Sequence, residues 1–257
     1  MENEERTYGT ISIGVRAPII REGDDLVEIV SNSVISTSNQ IGLPLKDRDV
    51  VGITESIVAR AQGNYASVMD IATDVKSKFG DHTVGVIFPI LSRNRFAICL
   101  RGIAQGAKKV VLMLSYPSDE VGNKLVSDDV FYAKTHGDNS KFLTEQAFRD
   151  LFGETKHEFT GVDYIEYYKN LITECGAEAE IVFSNDANTI LGYTKFVLNC
   201  DIHSRFVTKD RLLKAGAEVV FGLDEILTKP ISEGCGYNEK YGLLGSNKAN
   251  EDRIKLF

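Results

Sequence analysis

Residues 83–114 read TVGVIFPILSRNRFAICLRGIAQGAKKVVLML. The first six are almost all apolar, as expected of a strand buried on both faces. The period then changes: Phe96, Cys99, Leu100 and Ile103 stand at i, i+3, i+4 and i+7, one face of a helix. Gly106 ends that stripe, and AKKVVLML supplies a second apolar run. Strand, helix and strand within about 30 residues make a βαβ unit. Such a unit implies a parallel strand pair joined by a right-handed crossover. The fold class is therefore α/β, with α+β as the variant left open.

Working outward, residues 11–15 and 49–54 read as strands, and a helix capped by Asp24 or Asp25 runs to about Ile35. ESIVARAQG, residues 55–63, is a short helix or turn. Residues 67–79 form a helix closed by Gly80. Beyond the βαβ unit, residues 117–160 are polar and irregular, with a helix over Glu145–Phe152 near their end. Asp163–Glu174 is a further helix. EAEIVF, FVLNCDI and AEVVFGL are strands, with the capped helix TKDRLLKAG before the last of them. The tail from Ser232 is rich in Gly, Asn and charge and reads as surface loop or an arm. The texture changes near residue 125, dividing the chain into 1–125 and 126–257, the two parts either separate or intertwined in one domain.

Composition narrows the class. Hydrophobic residues make up 43% and charged residues 26% of 257 residues, ordinary values for a globular chain. The net charge of −8 argues against a nucleic-acid partner, whose phosphates call for a basic surface. No apolar run approaches the ~20 residues of a membrane helix. The start, MENEERTYG, has no apolar core of a signal peptide. Cys99, Cys175, Cys200 and Cys235 are scattered, without a CxxC pair, and read as thiols in a reducing cytoplasm. The sequence holds no P-loop, no GxGxxG after a strand, no GxSxG elbow and no HExxH.

Two stretches carry a family pattern. GVRAPIIREGDDLVEIV, residues 14–30, and DRDVVGITESIVARAQG, residues 47–63, together resemble the opening of the coenzyme F-420 γ-glutamyl ligases. A weaker likeness continues through Gly85, Val86, Ile87, Phe96, Gly102 and Gly106 and into DEVGNKL, residues 119–125. The likeness covers about half the chain, and the C-terminal part offers no motif to match. It implies a two-lobed, mixed-sheet ligase of that family, working as a homodimer. Such an enzyme uses GTP (or ATP) as co-substrate and Mg²⁺ or Mn²⁺ as cofactor. It activates a small-molecule carboxylate as an acyl phosphate and couples it to a glutamate-like amine. Carried over position by position, the nucleotide contacts are Pro18, Ile19, Ile20 and Arg21, then Glu55, Ser56 and Arg60. Arg60 keeps the cation of the family's lysine, whereas Glu55 replaces a hydroxyl. The family's metal-binding aspartate has no counterpart: Pro89-Ile90-Leu91 stands there, or Ala104 or Gln105 in a rival register.

The residues themselves suggest further candidates. Ser92-Arg93-Asn94-Arg95 lies between a strand and a helix, where open parallel sheets bind ligands and helix amides favour anions. Arg93 and Arg95 are the candidate catalytic cations. Asp119 and Glu120 follow the next strand and are candidate metal ligands, with a plain turn after Pro117 as the alternative. His136 and Asp138 offer a general-base candidate in a polar loop, Asp186 follows a strand, and Asp201-x-His203-x-Arg205 suggests a carboxylate–histidine–arginine contact, with a structural hydrogen-bond network as the alternative. Tyr164, Tyr167 and Tyr168 read as one packed helix face. The expectation is a nucleotide-dependent ligase adding glutamate; the alternative is a non-catalytic ligand-binding or regulatory protein that kept the fold.

Overall fold

The structure, a computed structural model, describes residues 9–257. The chain forms two compact units, one ending at Gly63 and the other spanning Asn64–Phe257.

The first unit contains α1 (Leu26–Ile41) and α2 (Glu55–Ala61) and, among its described residues, no strand. Asp25 caps α1, its side chain accepting from the Glu28 amide. The helix continues past the expected end near Ile35 because its stop signal is Gly42, at φ 68°. No residue of α1 is buried. The strands expected at 11–15 and 49–54 do not form, since neither segment has a ladder partner. Their side chains still alternate, and Ile11, Ile13, Val15, Val51 and Ile53 are all exposed.

The second unit opens with β1 (Tyr65–Ser67) and α3 (Val68–Phe79). Ser67 and Asp70 form a reciprocal capping box at the start of α3. The decisive stretch folds as expected, into β2 (Val84–Ile87), α4 (Phe96–Gln105) and β3 (Lys109–Leu114). The supposedly irregular segment contains α5 (Asp128–Thr135) and β4 (Leu143–Thr144), leading into α6 (Glu145–Phe152). There follow α7 (Tyr164–Glu174), β5 (Glu178–Phe183), a 3₁₀ turn at Ala187–Gly192, β6 (Phe196–Asn199), α8 (Arg205–Lys214) and β7 (Val219–Gly222). Near the end are β8 (Ser246–Lys248) and β9 (Arg253–Leu256).

Six strands make the main sheet, in the order β4-β5-β3-β2-β6-β7, with β4 alone antiparallel. The sheet is mixed, as expected, and draws strands from both sides of residue 125. The chain winds from β2 through β3 to β5 in one direction. It then returns to lay β6 on the other side of β2, with β7 beyond. The order reverses between β2 and β6, and in open α/β sheets ligands bind at the carboxyl ends of the strands flanking such a reversal.

Apolar residues cover both faces of this sheet. Val84, Val86, Leu112 and Phe183 share a buried cluster with Ile71, Leu100 and Leu171 of α3, α4 and α7. Ile87, Val111, Met113 and Val197 form the other cluster with Leu212 of α8 and Ile190 of the 3₁₀ turn. Helix α4 lies close on α3 because Gly102 has no side chain: a Cβ there would come within 2.5 Å of Ile71 Cβ. The tail is not a loop. β9 pairs antiparallel with both β1 and β8, and Ile254 and Leu256 are fully buried. Their period-2 pattern is only four residues long and sits among polar neighbours.

Candidate functional site

Three loops meet at the carboxyl ends of β2, β3 and β6. Cys200 continues the pairing beyond β6, its amide donating to Ile87 O at 2.9 Å. Immediately after β2, Phe88 adopts φ 54°, an uncommon backbone for a non-glycine residue and one that tends to occur at functional sites. Its amide remains bonded to Met113 O at 3.0 Å. The chain then turns through Pro89, Ile90 and Leu91 into Ser92–Arg95.

Tyr168 of α7 anchors that turn. It is fully buried, its hydroxyl donating to Ile90 O at 2.8 Å and accepting from the Ser92 amide at 2.9 Å. Burial raises its pKa well above the ordinary value, so it stays a neutral phenol able to do both. The tyrosine cluster is therefore packed, as expected, but one of its members also sets the path of the loop that carries Arg93 and Arg95. Both arginines are exposed, and neither has an ion-pair partner among the described residues. The Ser92 hydroxyl accepts from the Arg95 amide at 3.1 Å, and Arg95, the cap residue of α4, makes no side-chain capping bond. Exposed guanidinium groups near a helix start are of the residue type and in the place that favour anions.

The next two acids tie the loops together. Buried Asp119 accepts from the Leu91 amide at 2.7 Å, which links the loop after β3 to the loop after β2. The same carboxylate takes the amides of Val121 and Asn123 and the Asn123 side-chain amide, at 3.1, 2.8 and 2.7 Å. Glu120 reaches the opposite way, to the loop after β6. It accepts from the amides of Ile202 and His203 at 2.5 and 3.2 Å and contacts His203 Nδ1 at 2.9 Å. Asp119 and Glu120 were expected to hold a divalent ion, but their oxygens already accept from the protein. Among the described residues, no three His, Cys, Asp or Glu side chains cluster in a way that could hold a metal. The donor set does not fit a protein-built Mg²⁺ or Mn²⁺ site, because a hard cation takes six or more oxygens and would have to displace these N–H donors.

Asp201, expected beside His203, instead binds the Ser204 amide and the Thr208 hydroxyl at the start of α8. Arg205 pairs with Asp224 at 2.8 Å. Asp186 caps the 3₁₀ turn through the Asn188 amide. His136 is the left-handed cap residue of α5, and Asp138 is held by Ser140, which keeps its carboxyl below the usual range. A small pocket beneath the Arg95 loop is lined by Phe96, Cys99, Cys200 and Ile202. Burial pushes the Cys99 thiol up to about 11 and also raises Cys200, so neither is a nucleophile at neutral pH.

The remaining site candidates lie in the first unit. There the Pro18–Arg21 turn and the Glu55–Arg60 helix are brought together: the Gly23 amide donates to Ala61 O at 2.9 Å. Gly63, at φ 66°, lies against Glu22, and a Cβ on it would come within 2.6 Å of the Glu22 carboxylate. Ile20 is buried, while Pro18, Ile19, Arg21, Glu55 and Arg60 are exposed and Ser56 is half-buried.

The fold and the loop geometry define a doubly wound α/β protein whose loops after β2, β3 and β6 are tied together at the carboxyl edge of its sheet. The model of one family, F420-0:gamma-glutamyl ligase, matches residues 14–255. The chain belongs to that family of ligases, and the match takes in the C-terminal part where the sequence offered no motif. No curated protein and no solved structure matches it.

Proposed function

We propose that the chain is a cytoplasmic, nucleotide-dependent carboxylate–amine ligase that adds glutamate to a small-molecule acceptor through an acyl phosphate. The observation that carries this reading is the pair of exposed, unpaired arginines, Arg93 and Arg95, on a loop held at the sheet's switch point in a chain of the ligase family. An acceptor carboxylate oxygen attacks the γ-phosphorus of GTP (or ATP), and the nucleoside diphosphate leaves. The amine of glutamate then attacks the acyl carbon, and inorganic phosphate leaves. Both steps gather negative charge on phosphoryl oxygens, which preorganised cations stabilise. Arg93 and Arg95 supply that charge.

Within the first unit, the closeness of the two turns to each other, Gly23 donating to Ala61, supports the carried-over nucleotide contacts Pro18, Ile19, Ile20, Arg21, Glu55, Ser56 and Arg60. Mg²⁺ or Mn²⁺ is carried on the nucleotide's phosphates as part of the substrate. The working form is a homodimer. Supporting this, residues 11–53 expose an alternating apolar series that a second copy can cover, and α1 has no buried residue. The saturated Asp119 and the absence of an acidic cluster among the described residues favour a second reading, a ligand-binding protein without catalysis.

Calorimetric titration with GTP and ATP, paired with phosphate release in the presence of F420-0 and L-glutamate, separates the two readings. Nucleotide binding with glutamate-dependent phosphate release supports the ligase, and binding without release supports the second reading. No binding of either nucleotide at millimolar concentration removes the first.

A further inference from the structure

We propose that His203 is the general base of the amide-forming step and that Glu120 is its positioning residue; this rests on the ligase reading of the same loops. The two residues are 83 positions apart in the chain. They meet only because β6 lies beside β2, so that the loop after β3 reaches across the end of β2 to the loop after β6. Glu120 is held by two backbone amides of that loop, at 2.5 and 3.2 Å, before it touches the imidazole. The carboxylate is thus fixed independently of the ring it orients.

The 2.9 Å contact runs from Glu120 Oε2 to His203 Nδ1. A carboxylate can only accept, so the proton of the neutral ring sits on Nδ1 and Nε2 is left as a bare acceptor. The imidazole is 70% exposed while its partner carboxylate is 23% exposed, so the ring is open to solvent and substrate while the carboxylate that orients it is the more enclosed of the two. The neighbouring charges do not compete for it. Asp201 is engaged by Ser204 and Thr208, Arg205 by Asp224, and Asp119 by Leu91, Val121 and Asn123.

The chemistry needs such a group. Glutamate arrives as an ammonium ion and loses one proton to solvent before its nitrogen can attack. As the nitrogen–carbon bond forms, the nitrogen becomes positively charged and gives a second proton to His203 Nε2. The carbon–oxygen bond to phosphate breaks, inorganic phosphate leaves, and the imidazolium returns its proton to solvent. A positioned base of this kind contributes about 10²- to 10⁴-fold.

The test separates the two half-reactions in the full-length protein with GTP, Mg²⁺ and F420-0. Hydroxylamine, already unprotonated at neutral pH and a strong nucleophile, traps the acyl phosphate as a hydroxamate; L-glutamate gives the amide. His203→Gln is expected to lower amide formation at least about 100-fold at pH 7, with partial recovery as pH rises, and to leave hydroxamate formation within about twofold. Equal amide rates in wild type and variant overturn the assignment of His203, as does an equal loss of both products. No hydroxamate from the wild type overturns the ligase reading and this proposal with it. A ¹⁵N spectrum of the His203 ring gives a readout independent of turnover. The Nδ1–H form is expected in the wild type and the Nε2–H form in Glu120→Ala. An Nε2–H ring in the wild type rules out the orientation by Glu120.

Discussion

Residues 9–63 and residues 64–257 have comparably apolar segments and treat them in opposite ways. In the larger unit, Val84, Val86, Leu112 and Leu114 have no solvent exposure. In the smaller one, Ile19, Val27 and Val50 are 77%, 77% and 92% exposed, and the helix carrying Val27 buries nothing. Hydrophobic patterning fixes which side chains seek cover, and the cover itself must come from somewhere with a matching face. The larger unit supplies it from its own helices. The smaller unit, taken by itself, leaves its pattern open.

Substitutions can break or sharpen that contrast. The largest effect is expected at Leu112→Ala, which deletes a fully buried side chain of β3 from the cluster shared with α3, α4 and α7. It should cost about 3 kcal/mol in urea unfolding, with an unchanged denaturant slope. A loss below about 1 kcal/mol would mean that the central strand is not packed as described. Next is Asp119→Ala, which strips the shared acceptor from three backbone amides and one side-chain amide. About 2–3 kcal/mol is expected, together with faster amide exchange at Leu91; unaltered exchange there would detach the β2 and β3 loops from each other.

A smaller, pH-dependent effect belongs to Cys99. Burial holds its folded pKa at about 11, above the ordinary 9.0. The unfolded chain therefore gives up its thiol proton first. This contribution to stability is complete below pH 9 and declines by about 1.4 kcal/mol per pH unit as the pH rises towards 11. Cys99→Ala should make that part of the profile less steep without flattening it, since buried Cys200 and Tyr168 are raised too; an equally steep decline in the variant would place its origin elsewhere. The smallest effect is expected for Val50→Ala at low protein concentration, within about 0.5 kcal/mol. Val51→Glu combined with Ile53→Glu should instead change the mass seen by analytical ultracentrifugation from dimer to monomer. A monomer in both the parent and the variant would remove the argument that a second copy covers this unit.

Much of the architecture was legible in the sequence for a physical reason. The stretch 83–114 switches from a strand pattern to a helical period and back, and each segment is long enough for its period to show. The same rule failed where the elements are short. Arg253–Leu256 forms a strand from four residues in a charged tail, because β1, far away in sequence, supplies its ladder. It failed in the other direction at 11–15 and 49–54, where the alternation is present and the ladder is not.

The site was partly legible. Arg93 and Arg95 could be placed at a strand end because the βαβ unit fixes where such loops fall. Tyr168 could not, since its contact with Ile90 crosses 78 positions and looks in sequence like one more aromatic residue on a helix face. Asp119 and Glu120 were visible as a pair of acids after a strand, but their roles depend on which amides face them. Asp201 was the carboxylate nearest His203 in sequence, yet the strand order gives that imidazole to Glu120.

The most direct test of the account is product formation by the intact protein, the Arg93→Ala/Arg95→Ala double variant and Lys76→Ala, a surface control whose ammonium pairs with exposed Asp81. Each is incubated with F420-0, L-glutamate, GTP and Mg²⁺ and analysed by mass spectrometry for the γ-glutamyl adduct and for phosphate. The account predicts one phosphate released per adduct from the parent and the control. It predicts at least about a 100-fold fall in turnover for the double variant, with unfolding unchanged within about 0.5 kcal/mol. Turnover in the double variant equal to that of the parent would contradict the placement of the chemistry at the switch between β2 and β6.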